Sequence, residues 1–326
     1  MKNTLLLGNG IDRAYDKRAV SWTALLEKMT TNTDMPKHEA LPFPLEVVLR
    51  TNDHVDEELA KHKKDLYGSV EDAQLRCVLA KVLKMGFDEI LTTNYDYALE
   101  GTAIYPKKVT DHWLRKSMKH TCEVKQAESV YLLHTYQEAV LDGVTNRIWH
   151  IHGDARRSGS IVIGHYMYVN LVSKWREKLR DRAENYRTWP EARLTEPSMC
   201  WLDSFVLGNV YILGLGMDFC EFDLWWLLNR KKREKALHGK VVFYEPERSE
   251  DAAKYALLRA YGVEVRHLGF KLLATVENEA CDEDLQAERD EQNKRIWEFN
   301  SKIYADFYRY AIEDIEREMK IPVTCC

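Results

Sequence analysis

The opening stretch, residues 1–16, constrains this chain most, because it reads as one strand, one glycine turn and the start of one helix. Residues 4–7 (Thr-Leu-Leu-Leu) are too few for an independent helix but suit a strand buried on both faces. Gly8, Asn9, Gly10, Ile11 and Asp12 then break the run. Glycines at alternate positions permit positive φ and let backbone N–H groups approach a phosphate, while the helix that follows contributes its positive N-terminal end. An ordinary tight turn has the same pattern, so the stretch is open to both readings. It is not the fingerprint of a common dehydrogenase. Arg13 stands where the third glycine belongs, and residues 21–29 read as helix where a second strand ending in an acid is expected.

With 326 residues, 45% of them hydrophobic, the chain can bury a sizeable core as one large α/β domain with insertions or as two smaller ones. A net charge of −5, from 47 basic and 52 acidic residues, argues against a general nucleic-acid coat. Seven cysteines, scattered and without a CxxC pair, predict a reduced, cytoplasmic protein. No basic leader precedes the first strand, and no apolar run reaches the roughly 18 residues that span a bilayer, so neither export nor membrane anchoring is expected.

Further strands are predicted at residues 87–93, 147–152, 160–164, 210–213, 240–244 and 263–268, with helices between most of them. Leu75, Val78, Leu79, Val82 and Leu83 form a core-facing helical stripe. The strand at 87–93 ends in Thr-Asn-Tyr-Asp, which puts Asn94 and Asp96 where open α/β sheets bind ligands, although both residues also suit helix capping. Residues 97–144 read as an irregular insertion whose basic residues (Lys107, Lys108, Arg115, Lys116, Lys119, Lys125) are diluted by acids and form a solvated face. His150 and His152 alternate with Ile151 and are expected on one face of their strand, as a site or as core histidines. A metal reading lacks a third ligand at recognisable spacing. A second glycine turn, Gly214-Leu215-Gly216, follows the strand at 210–213. Acids at 218, 221 and 223 and bases at 230–233 bracket the next helix and complement its dipole. Residues 281–320 form one long charged helix or two, with an apolar stripe from Ile296 to Ile315. The alternation predicts a Rossmann-like, doubly wound, mostly parallel sheet with helical insertions: a domain over residues 1–270 and a C-terminal helical extension over 271–326.

In order, G-N-G-I-D, T-T-N-Y-D, I-H-G-D and G-L-G-M-D resemble the sirtuin family, and most of all its divergent bacterial branch, the sirtuin-like NAD hydrolases of antiphage defence. The resemblance covers roughly residues 1–269. It implies that Gly8, Asn9, Gly10, Ile11 and Asp12 hold a pyrophosphate, that Asn94 and His152 are catalytic with Asp96 beside them, and that Gly214 and Gly216 lie beside the adenosine ribose. It further implies NAD+ as the substrate, hydrolysed to nicotinamide and ADP-ribose. A gate is expected, through self-assembly or through a defence partner such as a translocating ATPase or a nucleotide-processing enzyme, with residues 281–320 contributing to the contact. Protein-deacylating sirtuins carry a four-cysteine zinc module after the catalytic histidine, whereas here only Cys200 and Cys220 fall in the next hundred residues. No zinc is therefore expected, and water is favoured over acetyl-lysine as acceptor. The alternative is a sensor that binds NAD+ or ADP-ribose without turnover.

Overall fold

The computed structural model describes residues 1–15, 22–32, 41–62, 72–104, 123–125, 128, 130–188, 200–234, 239–274 and 283–320. The strands are β1 (Asn3–Leu7), β2 (Glu89–Thr92), β3 (Glu123–Lys125), β4 (Tyr136–Leu141), β5 (Val144–His150), β6 (Asn209–Leu213), β7 (Val241–Tyr244) and β8 (Val263–Arg266). They form one eight-stranded sheet in the order β3-β4-β5-β2-β1-β6-β7-β8. From β5 to β8 all neighbours pair in parallel, and β3 and β4 add an antiparallel edge. The chain winds outward from β1 through β2 to β5, then returns to the other side of β1 with β6, β7 and β8. The switch point, where such sheets open a ligand crevice beyond their carboxyl ends, therefore lies between β1 and β6. This is the doubly wound Rossmann-like α/β architecture that the alternation of elements predicts.

Continuous apolar runs make both sheet faces buried. Leu5, Leu7, Ile90, Ile148, Tyr211 and Leu213 point to one face, which α5 (Ala73–Lys84) covers with Leu75, Leu79, Val82 and Leu83. Leu6, Leu91, Trp149, Val210, Ile212 and Phe243 point to the other, covered by α7 (His165–Thr188), α8 (Trp201–Leu207), α9 (Phe222–Arg233) and α10 (Ala252–Ala260). A third, smaller core joins α2 (Trp22–Met29), α3 (Phe43–Arg50) and α4 (Val55–Lys61) to Tyr95, Tyr97, Ile161 and Ile163. Those four residues belong to the loops after β2 and β5, so this helical insertion packs on the loops that carry the candidate site.

Two expectations change, and part of a third lies outside the described residues. Residues 160–164 are not a strand: a 3-10 turn, Ser158–Ser160, is followed by irregular chain whose Val162 amide donates to the His152 carbonyl at 2.9 Å. Part of the irregular insertion is instead the β4–β5 hairpin, turned by Asp142 and Gly143 at φ 51° and 83°. The Asp-Gly pair is a hairpin signal readable in the sequence. Lys107, Lys108, Arg115, Lys116 and Lys119 lie outside the described residues.

The C-terminal helix α11, Glu283–Lys320, is continuous over 38 residues. Its Phe307, Tyr308, Ala311, Ile312 and Ile315 are buried in the same core as β1 and α5. That half of the stripe is covered by the chain's own sheet and offers no face for assembly, whereas Trp297 and Phe299 in the preceding turns are about half exposed. Among the described residues, no helix is long and apolar enough to cross a membrane.

Candidate active site

The two glycine turns pack against each other at the switch point. The Gly8 amide donates to the Leu213 carbonyl at 2.9 Å and the Gly10 amide to the Gly214 carbonyl at 2.8 Å. A Cβ on Gly8 would lie 2.5 Å from the Gly214 oxygen, and one on Gly10 2.7 Å from it. Gly214 itself has φ +72°. Turn-on-turn contact thus accounts for these glycines, and the amides of Gly8 and Gly10 donate within the protein rather than toward an open phosphate position. Gly216 is exposed with open space about its Cα, and its carbonyl accepts from Lys254 Nζ at 2.9 Å.

Asp12, in the first turn of α1 (Gly10–Tyr15), is buried and faces Asn94 from beyond β2. Asn94 Nδ2 donates to Asp12 Oδ2 at 2.8 Å. The carboxylate only accepts, so the amide must turn its NH2 group to Asp12. Asn94 Oδ1 is then left buried without a hydrogen bond. A buried acceptor in that state costs about 1–3 kcal/mol, which a donor from a bound molecule would relieve. Asn94, Asp12, Asp96, Glu100 and His150 border one small cavity together with Leu7 and Thr92. Asp96 also turns the chain into α6 (Ala98–Ile104), its Oδ1 accepting from the Ala98 amide at 2.9 Å. Burial pushes its carboxyl up to about 6. The capping expectation for Asp96 therefore holds, and the same residue borders the cavity.

The two histidines do not share a face. β5 stops at His150, and the chain turns at Ile151 and His152, so the alternation of a strand no longer governs the second ring. His150 stays on the α6 side, with Nε2 2.8 Å from Glu100 Oε1 and Nδ1 2.7 Å from the Asn94 carbonyl. His152 crosses to the opposite side, where Nε2 lies 2.7 Å from Asp223 Oδ2 in the first turn of α9. The Tyr168 ring stands edge-on to His152 at 5.5 Å. Donation from Nε2 to Asp223 leaves the lone pair on Nδ1, which makes Nδ1 the proton acceptor. Glu221 lies nearby, and burial together with the Asp223 carboxylate pushes it up to about 7. The sequence alone assigned Asp223 to the helix dipole, and Glu100 carried no local signal. Both pairings join residues 50 or more positions apart.

Asn94 and His152 are held in mutual register by the loops that bear them. The Ala155 amide donates to the Tyr95 carbonyl at 2.9 Å, Tyr95 Oη to the Val162 carbonyl at 2.6 Å, and Tyr97 Oη to Asp154 Oδ1 at 2.5 Å. Asp154, fully buried, also accepts from the Arg156 amide and pairs with Arg157. The charge of His150 first, then Arg157 and the Tyr97 hydrogen bond, hold its carboxyl below the usual range despite burial. Gly153, between His152 and Asp154, has φ +89°, and a Cβ there would lie 2.1 Å from the Ser160 carbonyl oxygen. The clash is with backbone, so nothing flexible can yield. Gly153→Ala is expected to cost more than about 3 kcal/mol in a urea unfolding titration, against about 1 kcal/mol or less for Gly143→Ala, where only φ is strained.

A doubly wound sheet whose switch point carries two packed glycine turns, with an Asn–Asp pair and a His–Asp pair at the ends of adjacent strands, defines an α/β protein with acid–base groups beside the crevice of its sheet. Comparison with known families narrows this: the SIR2-like domain matches residues 88–265, more than half of the chain, and the chain belongs to that family. SIR2-like domains use NAD+ as a substrate. The match begins at β2, yet β1 with its glycine turn lies between β2 and β6 in the sheet, so residues 3–12 complete the matched domain. No curated protein matches the chain. Among the described residues, no group of three or more His, Cys, Asp or Glu side chains is arranged to hold a metal ion.

Proposed function

We propose that the protein is an NAD+ hydrolase: water replaces nicotinamide on the ribose carbon, giving nicotinamide, ADP-ribose and a proton. The observation that carries this reading is the buried oxygen left without a hydrogen bond on Asn94, a residue that borders a small cavity together with Asp12, Asp96 and Glu100. Breaking the nicotinamide–ribose bond builds positive charge on the ribose, and nicotinamide departs neutral without an acid. The site therefore needs an acceptor for a ribose hydroxyl or the attacking water, negative potential, and one base. Asn94 Oδ1 suits the first role. Asp12 and Asp96 suit the second, with Asp12 already committed to orienting Asn94. His152, polarised by Asp223, suits the third. That only Cys200 and Cys220 fall in the hundred residues after His152 supports water over an acyl-lysine acceptor, and the defence role remains part of the same proposal.

A sensor that binds NAD+ or ADP-ribose without turnover is the competing reading, and the His152–Asp223 pair tells against it, because a binder has no use for an oriented base. Incubation of the full chain with NAD+, followed by chromatography, is expected to show nicotinamide and ADP-ribose appearing in equal amounts. Binding of NAD+ without either product would replace the hydrolase with the sensor.

A further inference from the structure

We propose that His150 and Glu100 act as a positioning pair that fixes the Asn94 backbone through a protonated His150 ring. This rests on the reading of Asn94 as a catalytic residue. Asn94 is held at three points: its amide donates to Thr92 Oγ1 at 3.0 Å, its side-chain nitrogen to Asp12, and its carbonyl accepts from His150 Nδ1 at 2.7 Å. With Glu100 ionised, proton counting gives the state of the ring; a neutral ring accepting at Nε2 from a protonated Glu100 is the alternative that nitrogen-15 spectra distinguish. A carbonyl oxygen only accepts, so Nδ1 must carry a hydrogen. Nε2 faces Glu100 Oε1 at 2.8 Å. A lone pair there would oppose the lone pairs of the carboxylate, so Nε2 carries a hydrogen as well.

The surroundings support this state. Burial alone would lower the pKa of His150, but Glu100 on α6, Asp154 in the loop after β5 and the Asn94 carbonyl more than reverse that, and the net shift is upward. Asp96 lies across the same cavity, and the Tyr97 ring sits edge-on at 5.3 Å. Glu100 Oε2 is buried without a hydrogen bond of its own, so Glu100 depends on the ring for its pairing. As pH rises the ring loses one proton: the charge-assisted bond from Nε2 to Glu100 keeps its hydrogen, Nδ1 turns a lone pair to the Asn94 carbonyl, and that carbonyl is released.

The proposal places no substrate on His150. Its effect is on where Asn94 Oδ1 points, and a displacement of about 1 Å at a reacting group costs on the order of 100-fold in rate.

Nitrogen-15 spectra of the full chain with labelled histidine test the ring directly, with the His150 signals identified by their loss in His150→Gln. At pH 7.5 both ring nitrogens are expected to be protonated, and in Glu100→Gln, whose amide can donate to Nε2, one nitrogen is expected to carry a lone pair. A lone-pair nitrogen in the unaltered protein at pH 7.5 overturns the proposal whether or not NAD+ is hydrolysed. In kinetics, Glu100→Ala is expected to lower kcat by about 10- to 100-fold with KM changed by less than about threefold. Glu100→Gln is expected to restore most of kcat and to abolish its decline at high pH. A folded Glu100→Ala enzyme with unaltered kcat overturns the positioning role while leaving the hydrolase reading intact.

Discussion

Asn94→Ala is expected to lower nicotinamide release by about 10²- to 10³-fold, the range for removing one preorganised group that meets charge as it develops. The side chain has two functions in the folded protein. Nδ2 donates to Asp12 Oδ2, and Oδ1 is buried without a hydrogen bond of its own. Truncation removes both and leaves Asp12 without its Asn94 partner in a buried position. A loss of about 1–3 kcal/mol of stability is therefore expected alongside the loss of activity. Asn94→Asp separates the two effects. It keeps the volume but brings a second carboxyl against Asp12, so the like charges raise the pKa of the pair and activity is expected to fall steeply as pH rises. If Asn94→Ala folds and releases nicotinamide at the unaltered rate, the site is misassigned.

His152→Ala is expected to cost about 10²- to 10⁴-fold in kcat, the range for loss of a positioned general base. Because the ring takes its direction from Asp223 at 2.7 Å, Asp223→Asn is expected to cost a large part of the same amount with little change in KM. An asparagine can accept from Nε2 only through one oxygen and does not stabilise the imidazolium that forms when Nδ1 takes a proton. The double substitution His152→Ala with Asp223→Asn should then be no slower than His152→Ala alone, since Asp223 acts through the ring. Additive losses would mean that Asp223 touches the substrate itself. Rates from single-turnover experiments on the four proteins decide between these outcomes.

Local pattern determined the parts of this protein whose cause is local. Residues 4–7 form β1 because an apolar run between a polar start and a glycine turn has few other solutions. The α5 stripe at Leu75, Leu79, Val82 and Leu83 faces the core as its 3.6-residue period requires. The order of strands and helices was enough to predict a doubly wound sheet, and the four short motifs fell, as expected of such a sheet, at the carboxyl ends of β1, β2, β5 and β6. The β4–β5 hairpin also had a local signal, Asp142-Gly143 with its two positive φ angles, inside the stretch read as an irregular insertion.

Tertiary structure decided the rest, because its causes lie between residues far apart in the chain. Glycine spacing showed that Gly8, Gly10 and Gly214 were special, but only the meeting of β1 with β6 shows that they are required by each other. Two-residue alternation put His150 and His152 together, and the end of β5 at His150 separates them to opposite sides of the sheet. Their partners follow from which helix covers each face: α6 brings Glu100 to one ring and α9 brings Asp223 to the other. The stripe on α11 has the same appearance whether it docks on its own sheet or on another chain. Periodicity records that a face is apolar, and only the packed structure, with Phe307 to Ile315 buried beside β1, says what covers it.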